Sequence, residues 1–540
     1  MLKRSMLYLV LGALLCLTAC TSPAQRRAER LSRGPFEPSW ESLAQHQAVP
    51  DWMRDAKFGI YCHWGVYSVP AYGNEQYYCH STRSDSSDRF LMGAHRYHEA
   101  IYGPLSEFGY HDFIPMFRAE HFDADAWAKM FRESGAQFAG MVGEHHDGFS
   151  MWRSQCTPFN AWKTGPRRDL VGELSQAVRA RGMKFFLSMH NENNYTYVQV
   201  DSSWAAFDPK YQKMYGCLMD HEDWLQLWQD KLDEVIDAYC PDLLYFDAWM
   251  DQIPESRRLE MLSHYFNKAW QEGREVAFTY KYEEFPRSLG MLDHEMSHPR
   301  EIDSVPWLTD ITIADGYHRS WGYVKGMQVV PASYIIQTLI EVTANNGCLL
   351  LNLSPRADGT FPQNQQDVVA NVGVWLWSYG EAIYGTRPYR VSGETVFPAE
   401  ASLAANASKA GIPSVNAPKA GASKAAPAAV TLANAPKAGA LKAAPDAAQE
   451  GYRVHYTQKG NVVYTLFLDW PGAENELLLP ALSTEKLSSV GGRVKSATLL
   501  SVKKNYECGF REGTDGLRLT LRKGSRLPSD AASVVRIELE

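Results

Sequence analysis

The feature that most constrains the fold is a regular alternation between two kinds of segment. Short apolar runs, typical of buried strands, lie at 57–62, 138–143, 184–188, 243–246, 275–280, 311–313 and 348–352. Amphipathic stretches typical of helices lie between them, at 125–134, 170–180, 223–238 and 333–343. Repeated strand–helix units predict a parallel sheet. More than six strands over about 340 residues favour a (β/α)8-like barrel. A doubly wound sheet is the alternative, but the glycine-rich phosphate loop expected after its first strand is missing.

The N-terminus has the pattern of a bacterial lipoprotein signal. Lys3 and Arg4 precede the apolar run 6–17, which is too short to span a bilayer. The run ends in Leu-Thr-Ala-Cys, which resembles a lipobox with the lipid on the sulfur of Cys20. We therefore expect a signal peptide at 1–19, a tether at 20–35 and lipid anchoring in the bacterial cell envelope, in the periplasm or at the outer membrane. An ordinary signal peptide with an incidental cysteine is the alternative.

Composition excludes several other classes of protein. The net charge is −8 and no basic stripe is present, which argues against nucleic-acid binding. Beyond the signal region, seven cysteines are scattered through the chain without a Cys-x-x-Cys pair. This spacing predicts neither a disulfide framework nor a structural zinc site.

The C-terminal third divides into a linker and a small domain. An Ala/Pro/Lys-rich segment of twelve residues at 416–427 recurs at 434–445 with one change. Such a composition cannot bury enough apolar area to offset its ordering entropy. We therefore assign 36–390 to the barrel, 391–450 to a linker or insertion, and 451–540 to a β domain. Its expected strands lie at 452–456, 461–468, 498–502 and 517–521.

Polar residues follow the predicted strands, where the active site of a barrel lies. They are His63, His145 and His146, His190, Asp247, and a later group of Lys281, Glu283, Glu284, Asp293 and Glu295. One chemistry for such a rim is metal-assisted hydrolysis by His63, His145, His146 and Asp247. The other is glycoside hydrolysis by two carboxylates. An aromatic content of 12% and the expected location in the cell envelope favour glycoside hydrolysis. The adjacent histidines also lack the helical spacing of a zinc protease, which argues against the metal-assisted reaction.

Several motifs in order resemble glycoside hydrolase family 29, the α-L-fucosidases. They are AKFGIYCHWGVYSVP at 56–70, HHDGF at 145–149, PDLLYFD at 241–247, NNG at 345–347, LLNLSP at 350–355, DG at 358–359 and GEAIYGTRP at 380–388. The resemblance covers about 36–390, with weaker likeness at 452–540. It implies a (β/α)8-like barrel with a C-terminal β-sandwich. It also implies retaining exo-hydrolysis of terminal α-L-fucose from fucosylated glycans, without a metal ion or another cofactor.

The resemblance also implies roles for individual residues. Asp247 matches the family nucleophile, which must stay ionised to attack the anomeric carbon. Glu295 matches the acid/base. The competitors for that role are Glu283, Glu284 and Asp293, because the stretch is rich in carboxylates.

The substrate-binding residues are matched in the same way. Three histidines match binders of sugar hydroxyls, a role that suits imidazole because it can donate and accept. Glu75 matches a residue that binds further hydroxyls, and Trp321 matches an aromatic residue facing the sugar's methyl group. The set is His63, Glu75, His145, His146 and Trp321.

Five positions depart from the family pattern: Gln76, Leu187, Tyr245, Ala248 and Met296. They leave open a related substrate, a galactoside with the same hydroxyl pattern and a hydroxymethyl group. A second alternative is a catalytically weak, glycan-binding lipoprotein on the same barrel. Only an enzyme needs Asp247 and Glu295 together.

Overall fold

The computed structural model describes residues 34–83, 93–316, 320–398, 451–469, 476–488, 492–501, 504–520 and 531–540. The predicted signal peptide, Cys20, most of the tether and the repeats at 416–445 lie outside these ranges. In the part of the chain that is described, no helix is long and apolar enough to cross a membrane.

Eight parallel strands close into a barrel, with β1 paired to both β2 and β8, which confirms the predicted fold class. The strands are β1 Phe58–Cys62, β2 Phe138–Glu144, β3 Lys184–Met189, β4 Leu243–Phe246, β5 Ala277–Lys281, β6 Met291–Asp293, β7 Trp307–Thr312 and β8 Gly347–Leu353. The short β6 was not predicted, and β7 begins four residues before the predicted run at 311–313.

Successive side chains along each strand point to opposite faces, so the barrel has one apolar core inside it and another between its strands and the helices. Tyr61 points into the barrel interior, where it packs with Phe186 and Tyr245, while Ile60 and Cys62 pack outward against the helices. Gly59 is required beside this interior, because a Cβ there would lie 2.2 Å from the ring of Phe138. The interior is therefore a packed layer of side chains that supports the polar rim above it.

The helices are α1 Trp40–Leu43, α2 Asp51–Ala56, α3 Tyr77–His80, α4 Ala94–Tyr102, α5 Ala124–Glu133, α6 Leu170–Ala180, α7 Asn194–Tyr197, α8 His221–Tyr239, α9 Glu255–Gln271, α10 Ala332–Ala344, α11 Gln363–Tyr379 and α12 Thr484–Ser488. A helix follows each of β1 to β4, β7 and β8. The connections 282–290 and 294–306, after β5 and β6, are fully described and contain none. One sector of the barrel therefore has loops in place of its outer helices.

The second domain has two antiparallel sheets that share one apolar core. The strands are β9 Arg387–Val396, β10 Tyr452–Lys459, β11 Val462–Phe467, β12 Glu476–Leu479, β13 Val494–Leu499, β14 Tyr506–Glu507, β15 Gly509–Gly513, β16 Gly516–Thr520 and β17 Ser533–Leu539. The predicted boundary needs correction, because β9 lies across position 390 and pairs with β10. Its partner is more than fifty residues later, so nothing local in the sequence marks it as part of this sheet.

Candidate active site

All seven residues predicted to bind or react with substrate line one cavity at the carboxyl ends of the barrel strands. The lining is Tyr61, His63, Glu75, Gln76, His145, His146, His190, Asp247, Ala248, Trp249, Lys281, Tyr282, Glu295, Asp310 and Trp321. The structure thus brings the predicted residues together at the rim where a barrel enzyme binds its substrate.

His63 follows β1 and is fixed by the neighbouring strand β8. The amide oxygen of Asn352 accepts from the His63 backbone N–H at 2.9 Å and lies 2.9 Å from Nδ1 of the ring. Since an amide oxygen can only accept, Nδ1 carries the proton and Nε2 of the neutral ring is left as an acceptor. Burial lowers the pKa of His63 well below its usual value, so the ring is neutral.

His145 and His146 follow β2 and are buried among other rings. Burial lowers the pKa of His145 well below its usual value, and the neighbouring His146 lowers it further. The ring of His145 packs 4.9 Å from that of His190. Nδ1 of His146 makes a short hydrogen bond with the carbonyl of His190, and its Nε2 lies 3.4 Å from Asp247. The histidines therefore form one layer that ends at the predicted nucleophile.

Glu75 and Trp321 lie on two loops that hold each other in place. The Glu75 carboxylate accepts from the backbone N–H of Trp321 at 2.8 Å and of Gly322 at 3.2 Å. The Trp321 carbonyl accepts from Asn352, at 2.7 Å. The indole then packs 5.5 Å from the His63 ring. One face of the cavity is therefore apolar and fixed through its backbone.

Asp247 follows β4 directly, in a ring of positive and polar partners. Nζ of Lys281 lies 2.6 Å from its Oδ1, and His146 and His190 each lie 3.4 Å from its Oδ2. Burial alone would raise the pKa of Asp247, but the Lys281 ammonium and the two imidazoles hold it well below its usual range. Asp247 is therefore ionised, as a nucleophile must be.

Glu295 lies across Lys281 from Asp247, and its side chain is 40% exposed. Its Oε2 is 2.8 Å from the same Nζ. The two carboxylate oxygens are thus at most about 5.4 Å apart, an upper bound that excludes the wider separation of about 6.5–9.5 Å found in inverting glycosidases. Glu295 and Met296 both have positive φ, 24° and 55°, and the Met296 N–H donates to the Asp310 carbonyl at 2.8 Å.

The three competitors of Glu295 do not line the cavity. Glu283 is on the exposed surface. Glu284 accepts from the backbone N–H of Trp249 at 2.6 Å, and burial raises its pKa to about 7. Asp293 is buried below the site. The geometry therefore favours Glu295 as the acid/base.

Two further cavity residues lie at strand ends, and neither the sequence pattern nor the family resemblance predicts a role for them. Lys281 is the last residue of β5 and bridges both carboxylates, and His190 follows β3 and contacts Asp247. The pattern that points to His63, His145 and Asp247, a polar side chain at the end of a strand, also applies to these two residues. A third residue, Asp310, lies inside β7 and carried no such signal.

The departures from the family pattern fall into two groups. Gln76 and Ala248 line the cavity. Leu187 packs into the apolar layer between barrel and helices, so it takes no part in the site. Tyr245 donates to Asp293 below the site, at 2.9 Å, and Met296 packs against the apolar core.

Two triplets in this layer are close enough to hold a metal ion. They are His63 with His145 and His190, and His146 with His190 and Asp247, each with ligand atoms within 4.8 Å of one another. The same nitrogens can bind sugar hydroxyls, and hydrolysis by two carboxylates needs no metal.

Comparisons with known proteins agree with this geometry. A family profile described as Alpha-L-fucosidase matches residues 24–381. The chain is 30% identical to tissue alpha-L-fucosidase of Rattus norvegicus, over 69% of this chain and 77% of the relative. It is 32% identical to alpha-L-fucosidase of Dictyostelium discoideum, over 67% and 76%.

Solved structures share the fold. Thermotoga maritima alpha-fucosidase, solved in complex with fucose, superposes with a TM-score of 0.68 at 24% identity, covering 93% of this chain and all of the other. Alpha-L-fucosidase isoenzyme 1 from Paenibacillus thiaminolyticus gives 0.61 at 23%, covering 92% of this chain and all of the other. With the sequence matches, these results show that the chain belongs to the alpha-L-fucosidase family of glycoside hydrolases, family 29.

Proposed function

We propose that this protein is a retaining exo-α-L-fucosidase that removes terminal α-L-fucose from glycans. The observation that carries the proposal is the placement of Asp247 and Glu295 on either side of Lys281 at one cavity. Membership of the family and the fold shared with a fucosidase solved in complex with fucose support the choice of sugar.

The reaction takes two steps. Asp247 attacks the anomeric carbon and the glycosidic bond breaks, while Glu295 gives its proton to the departing oxygen. Water then attacks the glycosyl–enzyme ester, Glu295 takes the proton from that water, and the carboxylate of Asp247 leaves. Two inversions at one carbon retain its configuration.

Substrate binding uses the neutral side of the cavity. Imidazoles held neutral by burial exchange hydrogen bonds with sugar hydroxyls at no cost for burying a charge. Glu75 adds a carboxylate acceptor, and the Trp321 ring gives an apolar surface that suits the methyl group of a 6-deoxy sugar.

The decisive test compares aryl α-L-fucosides with aryl α- and β-galactosides. We expect turnover of the α-L-fucoside, with the α anomer as the first product in a proton NMR time course. Preferred hydrolysis of a galactoside would change the assigned sugar. Binding of fucose without turnover of any aryl glycoside would instead identify a glycan-binding lipoprotein.

We also propose that Cys20 is lipidated and tethers the enzyme in the bacterial cell envelope, since the run at 6–17 ends in a lipobox-like sequence. Replacing Cys20 with Ser should move the protein from the membrane fraction to the soluble fraction. Replacing Cys16, inside the apolar run, is the matched control. Unchanged fractionation of the Cys20 variant would contradict the assignment.

A further inference from the structure

Two buried carboxyl groups lie below the site and have no part in the reaction described above. Asp293 ends β6 and Asp310 lies on β7, with only 4% and 2% of their surface exposed. The Asp310 backbone N–H donates to Oδ1 of Asp293 at 3.1 Å, so the two residues lie side by side on the neighbouring strands β6 and β7. We call these two residues the aspartate pair.

Each member of the aspartate pair also accepts from a phenol. Tyr61 donates to Oδ2 of Asp310 at 2.6 Å, and Tyr245 donates to Oδ2 of Asp293 at 2.9 Å. Oδ1 of Asp310 is buried without a hydrogen-bond partner in the described part of the chain, so a negative charge on both carboxyls would be poorly compensated. Two neighbouring carboxylates cannot both ionise at low cost.

Protonation behaviour agrees with this geometry. Burial raises the pKa of Asp293 to about 6, with Lys281 opposing and Glu295 adding to the rise. Burial, and then the charge of Asp293, raise the pKa of Asp310 well above its usual value. The groups that act on the pair are thus Tyr61 from β1, Tyr245 from β4, Lys281 from β5 and Glu295 from the loop after β6.

Lys281 poses a problem for the mechanism. Its ammonium lies 2.8 Å from the carboxyl of Glu295. A general acid must carry a proton when the substrate binds, and a neighbouring cation opposes such protonation. Asp247 neutralises Lys281 only in part, because the ammonium lies between the two carboxylates and contacts both.

We propose that Asp293 and Asp310 hold one proton between them, and that their remaining negative charge offsets Lys281, so that Glu295 carries its proton when the glycoside binds. The inference rests on the proposed fucosidase function. In this scheme the proton of the aspartate pair stays in place through the cycle. Only Glu295 exchanges a proton, first with the leaving oxygen and then with water, so the two aspartates are positioning residues.

The test is the pH profile of kcat/KM for the double variant Asp293→Asn/Asp310→Asn with two substrates, beside the two single variants, each of which keeps one carboxylate and therefore keeps the charge. Phenyl α-L-fucoside needs protonation of its leaving group, and dinitrophenyl α-L-fucoside does not. With one negative charge removed in the double variant, the basic limb for the phenyl substrate should move about one unit lower, a loss of about tenfold above the limb. The dinitrophenyl substrate should change much less. Asp515→Asn, an exposed aspartate of the second domain, is the matched control.

If the asparagine variants do not fold, the milder variants Tyr61→Phe and Tyr245→Phe test the same shift of the basic limb. Each removes a donor that stabilises the charge of the pair, so the same limb should move in the same direction by a smaller amount. An unmoved limb in the double variant or in the phenylalanine variants that replace it, or equal losses on both substrates, would overturn the inference while leaving the proposed function intact. Wild-type protein that hydrolyses neither fucoside would contradict the function itself.

Discussion

The two halves of the barrel rim differ in the kind of polar side chain that they bury. Around β1 to β3 the cavity wall holds His63, His145, His146 and His190, buried rings fixed by hydrogen bonds and ring contacts, and one carboxyl, Glu75, which accepts from backbone N–H groups. Around β4 to β7 it is made of carboxylates that share a single ammonium. Neutral imidazoles can be buried cheaply, whereas buried charges must compensate one another.

Backbone geometry follows the same division. Four residues of the β4 to β7 half, Trp249, Tyr282, Glu295 and Met296, have positive φ, and none of the four histidines does. Such conformations are costly for residues with side chains and persist only where their surroundings impose them. Charge placement in this half is therefore maintained against a local backbone preference, which the backbone of the four histidines does not show.

The largest expected effect tests the nucleophile in the charged half. Asp247→Gly should lower kcat about 10³-fold or more, because the covalent path is removed, and azide should restore part of the rate. Both are measured with an activated aryl α-L-fucoside. Full activity without azide would exclude Asp247 as the nucleophile.

The next effect distinguishes the acid/base from its neighbours. Glu295→Ala should lower the rate on phenyl α-L-fucoside by about 10²–10⁴-fold and spare glycosylation by the dinitrophenyl substrate. Pre-steady-state bursts report that step. Glu283→Ala is the matched control, since Glu283 is a neighbouring exposed glutamate outside the cavity. The same leaving-group pattern in the control, and not in Glu295→Ala, would reverse the assignment.

A smaller effect is expected in the histidine half. His145→Ala removes hydrogen bonds to the sugar and should lower kcat/KM by about 10–100-fold, equally for both leaving groups. The exposed His221→Ala is the control. A loss confined to the phenyl substrate would mean that His145 acts in the chemistry, and the division between the halves would fail.

Stability should also depend on pH through the histidine half. Burial lowers the pKa of His145. As pH falls through about 6.5, His145 is therefore protonated in the unfolded chain but not in the folded chain. The free energy of unfolding is therefore highest above that pH and decreases as pH falls below it, by about 1.4 kcal/mol per pH unit for one such group. Denaturant unfolding at several pH values measures this slope. The slope should be shallower in His145→Asn, and an identical slope would contradict the prediction.

The smallest effect is expected outside both halves. Deleting 401–449 should leave Tm and kcat/KM nearly unchanged, because an Ala/Pro/Lys composition offers little apolar area to bury. Calorimetry and aryl fucoside assays check both quantities. A large fall in either would show that the segment packs against a folded domain.

The sequence predicted the barrel where strands are continuous apolar runs beside amphipathic helices, as in β2 and β3. It failed at β6, which has three residues and no flanking helix. The predicted strand at 311–313 also begins too late for β7, because Thr309, Asp310 and Thr312 interrupt the apolar pattern. Those three residues are nevertheless buried, which an apolar pattern cannot reveal.

The residues of the site could also be predicted only in part from their positions relative to the strands. His63, His145 and Asp247 follow strands and could be selected on that ground, whereas Glu75 and Trp321 lie on loops and were found only through the family resemblance. The bridging contact of Lys281 depends on a position fourteen residues away, so only the folded chain shows it.

The loop-only sector after β5 and β6 has a consequence for how such enzymes diverge. Insertions and deletions in a helix must respect its turns, but a surface loop accepts them at little entropic cost. Glu295 lies in that sector, at the start of the connection 294–306. We therefore expect the spacing from strand to acid/base to drift between relatives while the histidine motifs stay in register.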